Sequence, residues 1–163
     1  MTEYRPRLFD CDAAVERVGE GLLSRKLPRA EWTHEAHLAA TTYLLLKHPE
    51  IDLDTELPGL IRRYNESAGG VNSDTEGYHE TITLAFLHGV RLFLSEADGY
   101  EPVHELVNEL LLSPMGRRDW PLRFYSRERL FSVEARRTFV VPDLGALPVS
   151  SSLSRNGAAG CNR

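Results

Sequence analysis

The sequence predicts an all-α protein: a compact bundle of about five main helices followed by short C-terminal ones. Three observations carry this expectation. Apolar residues recur at helical spacing in five successive segments. Proline, serine, threonine and aspartate stand where those segments begin or end. No stretch alternates apolar with polar residues over the length a strand needs, and no segment repeats.

Residues 9–26 read as the first helix, with Asp10 or Asp12 as cap and Val15, Val18, Leu22 and Leu23 as apolar stripe; Pro28 ends it. Thr33 is placed to cap a second helix that runs to about Lys47 and stops before Pro49. A third spans roughly Leu53–Ser67, with Leu57, Leu60, Ile61 and Tyr64 facing inward and Pro58 limiting its start. The stretch AGGVNSDTEG, residues 68–77, is a dense loop signal. A fourth helix follows over 78–96; it is the most apolar and is expected at the centre. Pro102 suits the first turn of a fifth, over 102–112. Beyond SPMGRRDWP the pattern shortens to two short helices joined at Ser132, then a Pro-rich exit. Ser126 and Ser132 are capping candidates, each followed by a glutamate that suits the helix dipole. Residues 1–148 are expected to form one helical domain, and 149–163, small and polar, a disordered tail.

At 163 residues the chain can bury a core without staples. Its apolar fraction of 42% and charged fraction of 26% are those of an ordinary globular protein. A net charge of −5 offers nothing to nucleic acid or to an anionic membrane. Cys11 and Cys161 make neither a metal spacing nor a disulfide framework, which points to a reducing compartment. The stretch MTEYRPRLFDCD has no apolar region of the signal-peptide kind, and no apolar run approaches the ~18 residues of a membrane span. A cytoplasmic protein is expected, with no membrane and no nucleic-acid partner. Arginine outnumbers lysine 17 to 2, a bias that genome composition explains as readily as function.

The chemistry concentrates in histidine. On a helical wheel of roughly 100° per residue, His79 lies within about 40° of Thr83, Phe86, Val90 and Phe93, in the middle of the apolar stripe. His88, Thr81 and Ser95 fall on the opposite side. In the second helix His34 and His37 are an i, i+3 pair sharing a face with Leu38, Leu44 and Leu45. A buried imidazole must be neutral, and a helix N-terminus disfavours its cation further. Neutral imidazole is also the form that ligates a transition metal, and bundle cores are suited to such sites. His34, His37 and His79 are therefore expected to hold one divalent transition metal. The scarcity of inward oxygen donors favours Fe, Zn, Cu or Ni over Mg or Ca. Glu35 and Glu80, each about 100° round from a histidine, suit the catalytic role of proton carrier, with a further metal ligand as the alternative. Thr41 and Thr83 share the inner faces and are expected to line the substrate pocket. The signal is not a zincin motif, because HEAH lacks the i, i+4 spacing of H-E-x-x-H. His48 reads as a structural residue at a helix C-terminus, and His104 as a surface one. The loop before His79 is either an ordinary capping loop or a rim of the pocket.

From Arg117 to Arg137 there are seven arginines and three acids. With Trp120, Phe124, Tyr125 and Phe131 interleaved, this segment is either a lid over an anionic or aromatic substrate, with Tyr125 and Arg127 at the pocket, or a covering of the bundle's acidic flank.

The stretches THEAHL, YHETIT, YSRERLFSVEAR and VPDLGALP together resemble a family of short uncharacterised bacterial all-α proteins. The resemblance spans roughly residues 30–148. It implies that His34, Glu35, His37, His79, Glu80, Tyr125, Arg127 and Arg136 belong to one shared pattern, and it implies no reaction.

The leading expectation is a small metal-dependent enzyme acting on a small organic substrate, an anionic one if the arginine segment covers the pocket. The alternatives are a metal-free enzyme using His/Glu acid–base catalysis, a non-catalytic small-ligand-binding protein, and a purely structural role. In that last case the histidines bond loop carbonyls, and His79→Leu is tolerated or stabilising. The oligomeric state is left open.

Overall fold

The computed structural model describes residues 3–150. Apart from Val149 and Ser150, the expected tail lies outside the described residues. The order is α1 (Asp12–Ser24), α2 (His34–Lys47), α3 (Leu53–Ser67), α4 (Glu80–Glu96), α5 (Val103–Leu112), α6 (Arg127–Leu130) and α7 (Val133–Arg137). Short 3-10 turns occupy Arg29–Glu31, Pro114–Gly116 and Trp120–Arg123. The fold is all-α as expected, with five long helices and two short ones, and the described residues contain no strand. No helix among them is long and apolar enough to cross a membrane.

Most helix starts follow the capping chemistry of the sequence. The Thr33 hydroxyl accepts from the Ala36 N–H, Ser126 from Arg129, and Ser132 from Ala135. Asp52 does the same for α3 through the Asp54 N–H. The start of α1 differs. Cys11 is its N-cap and gives no side-chain bond, so neither Asp10 nor Asp12 caps this helix. Asp12 instead accepts the His104 backbone N–H at 2.9 Å and lies 2.6 Å from His104 Nδ1. It thus serves the first turn of α5, whose own N-cap, Pro102, has no acceptor side chain.

The expected central place of α4 is shared with α2: α4 meets α2, α3, α7 and the turns at Pro114–Gly116 and Trp120–Arg123. α2 is the most enclosed helix, burying 9 of its 14 residues against 6 of 17 in α4. The cause is side-chain size. Ala36, Ala39 and Ala40 let α1, α4 and α5 approach α2 from different sides. On α1, Gly19 lies so close to the Tyr43 ring that a Cβ would collide with it.

The outer side of α4 is not outer either. Thr81 is fully buried; its hydroxyl donates to the Thr138 carbonyl and accepts from the Val140 N–H. His88 Nε2 donates to the Pro148 carbonyl at 2.6 Å. The C-terminal arm, residues 120–148, lies over this side and builds a second small core of Tyr125, Leu130, Ala135 and Val140, joined by Ile82 and Leu147. α4 is therefore sandwiched between the bundle and the arm.

Candidate functional site

The 68–77 loop is shaped by Asn72, whose carboxamide oxygen accepts the Tyr78 N–H and the Asn65 side chain while its nitrogen donates to the Arg62 carbonyl. Gly77 turns the chain at φ 82°, and a Cβ there would collide with the Val71 carbonyl and Asn72. From outside, Arg137 grips Asp74 with two bonds of 2.7 and 2.6 Å, and Arg136 donates to the carbonyls of Gly77 and Tyr78. Held this way, the loop forms the rim of a cavity of about 530 Å³. The rest of the wall comes from Arg29, Trp32 and Thr33 ahead of α2, the first half of α2, the second half of α3 and the first half of α4.

His34, His37 and His79 all line this cavity, as do Thr41 and Thr83. Their states differ. His34 Nε2 donates to the Gly116 carbonyl at 2.8 Å, which leaves the lone pair on Nδ1. Burial lowers its pKa. His37 lies against Trp32 with ring centroids 3.9 Å apart, and its hydrogen bonds are made by its backbone N–H and carbonyl, not by the ring. Burial first, then the neighbouring His34, push its pKa down to about 3, so the ring is neutral at physiological pH.

His79 differs from its expected setting. It precedes the first turn of α4 rather than standing inside the helix. As the N-cap its Nδ1 accepts the Ile82 N–H at 3.1 Å, while Nε2–H donates to the Leu130 carbonyl at 2.8 Å. Both nitrogens are committed to backbone, and only one neutral tautomer satisfies both. Burial again lowers the pKa. The fold thus brings the three histidines to one cavity without converging their nitrogens. Among the described residues, no three His, Cys, Asp or Glu side chains are grouped to hold a metal ion.

Glu35 and Glu80, expected as proton carriers, are not on the cavity wall. Glu35 is buried, and its charge acts on Tyr4 of the N-terminal segment and on His34. Glu80 pairs with Arg62 at 3.6 Å, and Arg62 in turn covers the Tyr78 ring at 4.5 Å. The helical rotation of about 100° from His34 carries the Glu35 carboxylate off the face, while Glu80, the first residue of α4, turns to Arg62.

Tyr125 and Arg127 are also corrected as pocket residues. Tyr125 is fully buried in the arm's own core and donates to the Val140 carbonyl; Arg127 stacks on Phe131. No residue of 117–137 lines the cavity. Arg117, Arg129, Arg136 and Arg137 instead brace Asp119, Val141, the rim carbonyls and Asp74.

Several cavity residues carried no site signal in the sequence: Trp32, Tyr64, Asn65, Tyr78 and Phe86. Trp32 and Tyr78 each stand within two residues of a cavity histidine, which was the available clue. Their heteroatoms share a property. Trp32 Nε1 and the Tyr78 hydroxyl are sealed from solvent with no hydrogen-bond partner. Glu80 and Thr83 lie near the Tyr78 hydroxyl, and Glu80 adds to burial in raising its pKa, but neither is set in hydrogen-bonding geometry. An orphaned buried hydroxyl costs about 1–3 kcal/mol. Tyr78→Phe, which keeps the ring under Arg62, is therefore expected to raise stability by about 1 kcal/mol in urea unfolding. A loss of stability would mean that the hydroxyl does have a partner.

Comparison of the chain with protein-family models, curated proteins and solved structures finds no match. The class that fold and site define is an all-α bundle with an aromatic, histidine-edged cavity.

Proposed function

We propose that the protein binds a small organic molecule in this cavity, with His37 as the neutral hydrogen-bonding contact. The observation that supports this is the His37 ring: it lines a cavity of about 530 Å³, it is held neutral, and the residue bonds to the protein through its backbone, which leaves the ring nitrogens to a ligand. Cavities of ~300–1,000 Å³ suit small-molecule ligands. Acid–base catalysis by these histidines is the weaker reading. A general base works best with a pKa near the working pH, and a value of about 3 leaves His37 a poor one. His79 has no free nitrogen to offer, and Glu35 and Glu80 are off the wall.

A second reading retains the metal. His34 Nδ1 and the His37 ring are held towards their neutral form, carry no hydrogen bond to protein and stand one turn apart on the same cavity wall, a pair suited to Fe, Zn, Cu or Ni. His79 would join only by releasing two backbone bonds.

Thermal unfolding separates the two. Untagged protein and a His37→Ala variant are heated with a library of small aromatic compounds and, separately, with each of the four metals. A ligand at 100 times its Kd adds about 2.7 kcal/mol. Stabilisation of the wild type by an organic compound, lost in the variant, is the expected result. Stabilisation by a metal alone, at one ion per chain and lost in a His34/His37 double alanine variant, would replace the first reading by the second.

A further inference from the structure

We propose that the occupant of the cavity is an uncharged, planar, ring-bearing molecule with a hydrogen-bond acceptor, such as an amide carbonyl or ring nitrogen; this rests on the ligand-binding reading above.

The absence of net charge follows from the wall. Arg29 and Glu76 are the charged side chains that line the cavity; they are opposite in sign and both exposed, at its mouth. All three histidines in the wall are held towards their neutral form. None of the seven arginines of 117–137 lines the cavity; Arg136 and Arg137 reach its rim, where they are bonded to the carbonyls of Gly77 and Tyr78 and to Asp74. An ionised ligand would lose hydration inside and meet a counter-charge only at the exposed mouth.

The planarity follows from the rings. Trp32, Tyr64, Tyr78 and Phe86 line the cavity beside His37, and flat faces of this kind favour a stacked or edge-on aromatic guest.

The acceptor follows from the orphaned atoms. Trp32 Nε1–H can only donate. The Tyr78 phenol, kept protonated by burial and by Glu80, is also a donor. Trp32 and Tyr78 both line the cavity, so a turn of either ring on ligand entry would present its donor. An acceptor on the ligand then meets groups that the protein itself leaves unmet.

The test uses 2-naphthamide, 2-naphthoate and 2-naphthamidinium, one shape with three charges. The full chain carries ¹⁵N label and Trp120→Phe, so that the single indole N–H signal belongs to Trp32. At pH 7.5 the amide is expected to move that signal and to bind at least ~10-fold tighter than either ion. Adding Tyr78→Phe is expected to weaken the amide roughly three- to tenfold. Naphthoate or naphthamidinium binding as tightly as the amide overturns the uncharged assignment. An amide affinity unmoved by Tyr78→Phe overturns the acceptor. If none of the three probes shifts any cavity resonance, the ligand-binding reading falls together with the inference.

Discussion

Replacing His79 by leucine is expected to lower stability by about 2–4 kcal/mol, although the position lies on an apolar stripe. By stripe alone leucine should be neutral or stabilising. The structure reverses that expectation because both imidazole nitrogens have backbone partners. Leucine would leave the Ile82 N–H without its N-cap acceptor, a loss of about 0.5–2 kcal/mol. It would also leave the Leu130 carbonyl unmet where the arm docks on α4, a further ~1–3 kcal/mol. His79→Asn can still cap the helix, and its expected loss is the smaller. Urea unfolding of the two variants checks both the sum and its division. A leucine variant as stable as the wild type would mean that these two bonds contribute nothing.

The second large effect is a dependence on pH centred on His37. In the unfolded chain its imidazole takes up a proton near its ordinary value of 6.5; in the fold it does so only near about 3. Between those values the unfolded state binds one proton more. Stability therefore falls as pH falls, by about 1.4 kcal/mol per unit for that proton. Above pH 6.5 the ring is neutral in both states and the effect vanishes. His34 and His79, also shifted down, act in the same sense. His48 acts in the opposite sense. Its pKa is raised by bonds to Glu20 and Glu50, so its contribution is present at low pH and fades as pH rises through the raised value. In His37→Gln the drop in stability between pH 7.5 and 4.5 is expected to be smaller than in the wild type by about 3 kcal/mol. Loss of the Trp32 stacking affects the variant at both pH values, so the difference between them isolates the proton. Equal drops would show that the folded His37 ring accepts a proton as readily as the unfolded one.

The contrast between these two histidines shows what was legible in the chain and what was not. Helical spacing correctly marked both as inward-facing, because a side chain's direction on a helix follows from its position along the chain. The same reasoning brought His34, His37, Thr41, Thr83 and His79 to one side of the bundle, where they do line one cavity. It could not say what each nitrogen bonds. The partners of His34 and His79 are the carbonyls of Gly116 and Leu130, 82 and 51 residues away, and a backbone carbonyl carries no sequence signature.

The arm misled in a related way. A wheel divides α4 into a wet and a dry side, but residues 120–148 cover the wet one. Tyr125 and Arg127 therefore found their partners within the arm and not at the pocket. Proximity in sequence also set Glu35 and Glu80 beside the histidines, while one step of helical rotation carried Glu35 off the cavity wall and the extended backbone at His79 left Glu80 to pair with Arg62.

By itself the sequence determined the all-α class, the positions of α2 and α3, the serine and threonine caps and the inward set of histidines. All of these are local consequences of periodicity, proline and capping chemistry. The tertiary structure alone decided that α2 is the enclosed helix, that His79 is an N-cap bonded to the arm, and that His37 keeps free nitrogens against Trp32. It also decided that Trp32 and Tyr78 hold donors no protein group meets. Those features depend on which distant backbone and ring happen to face each side chain, and only the packed chain brings them together.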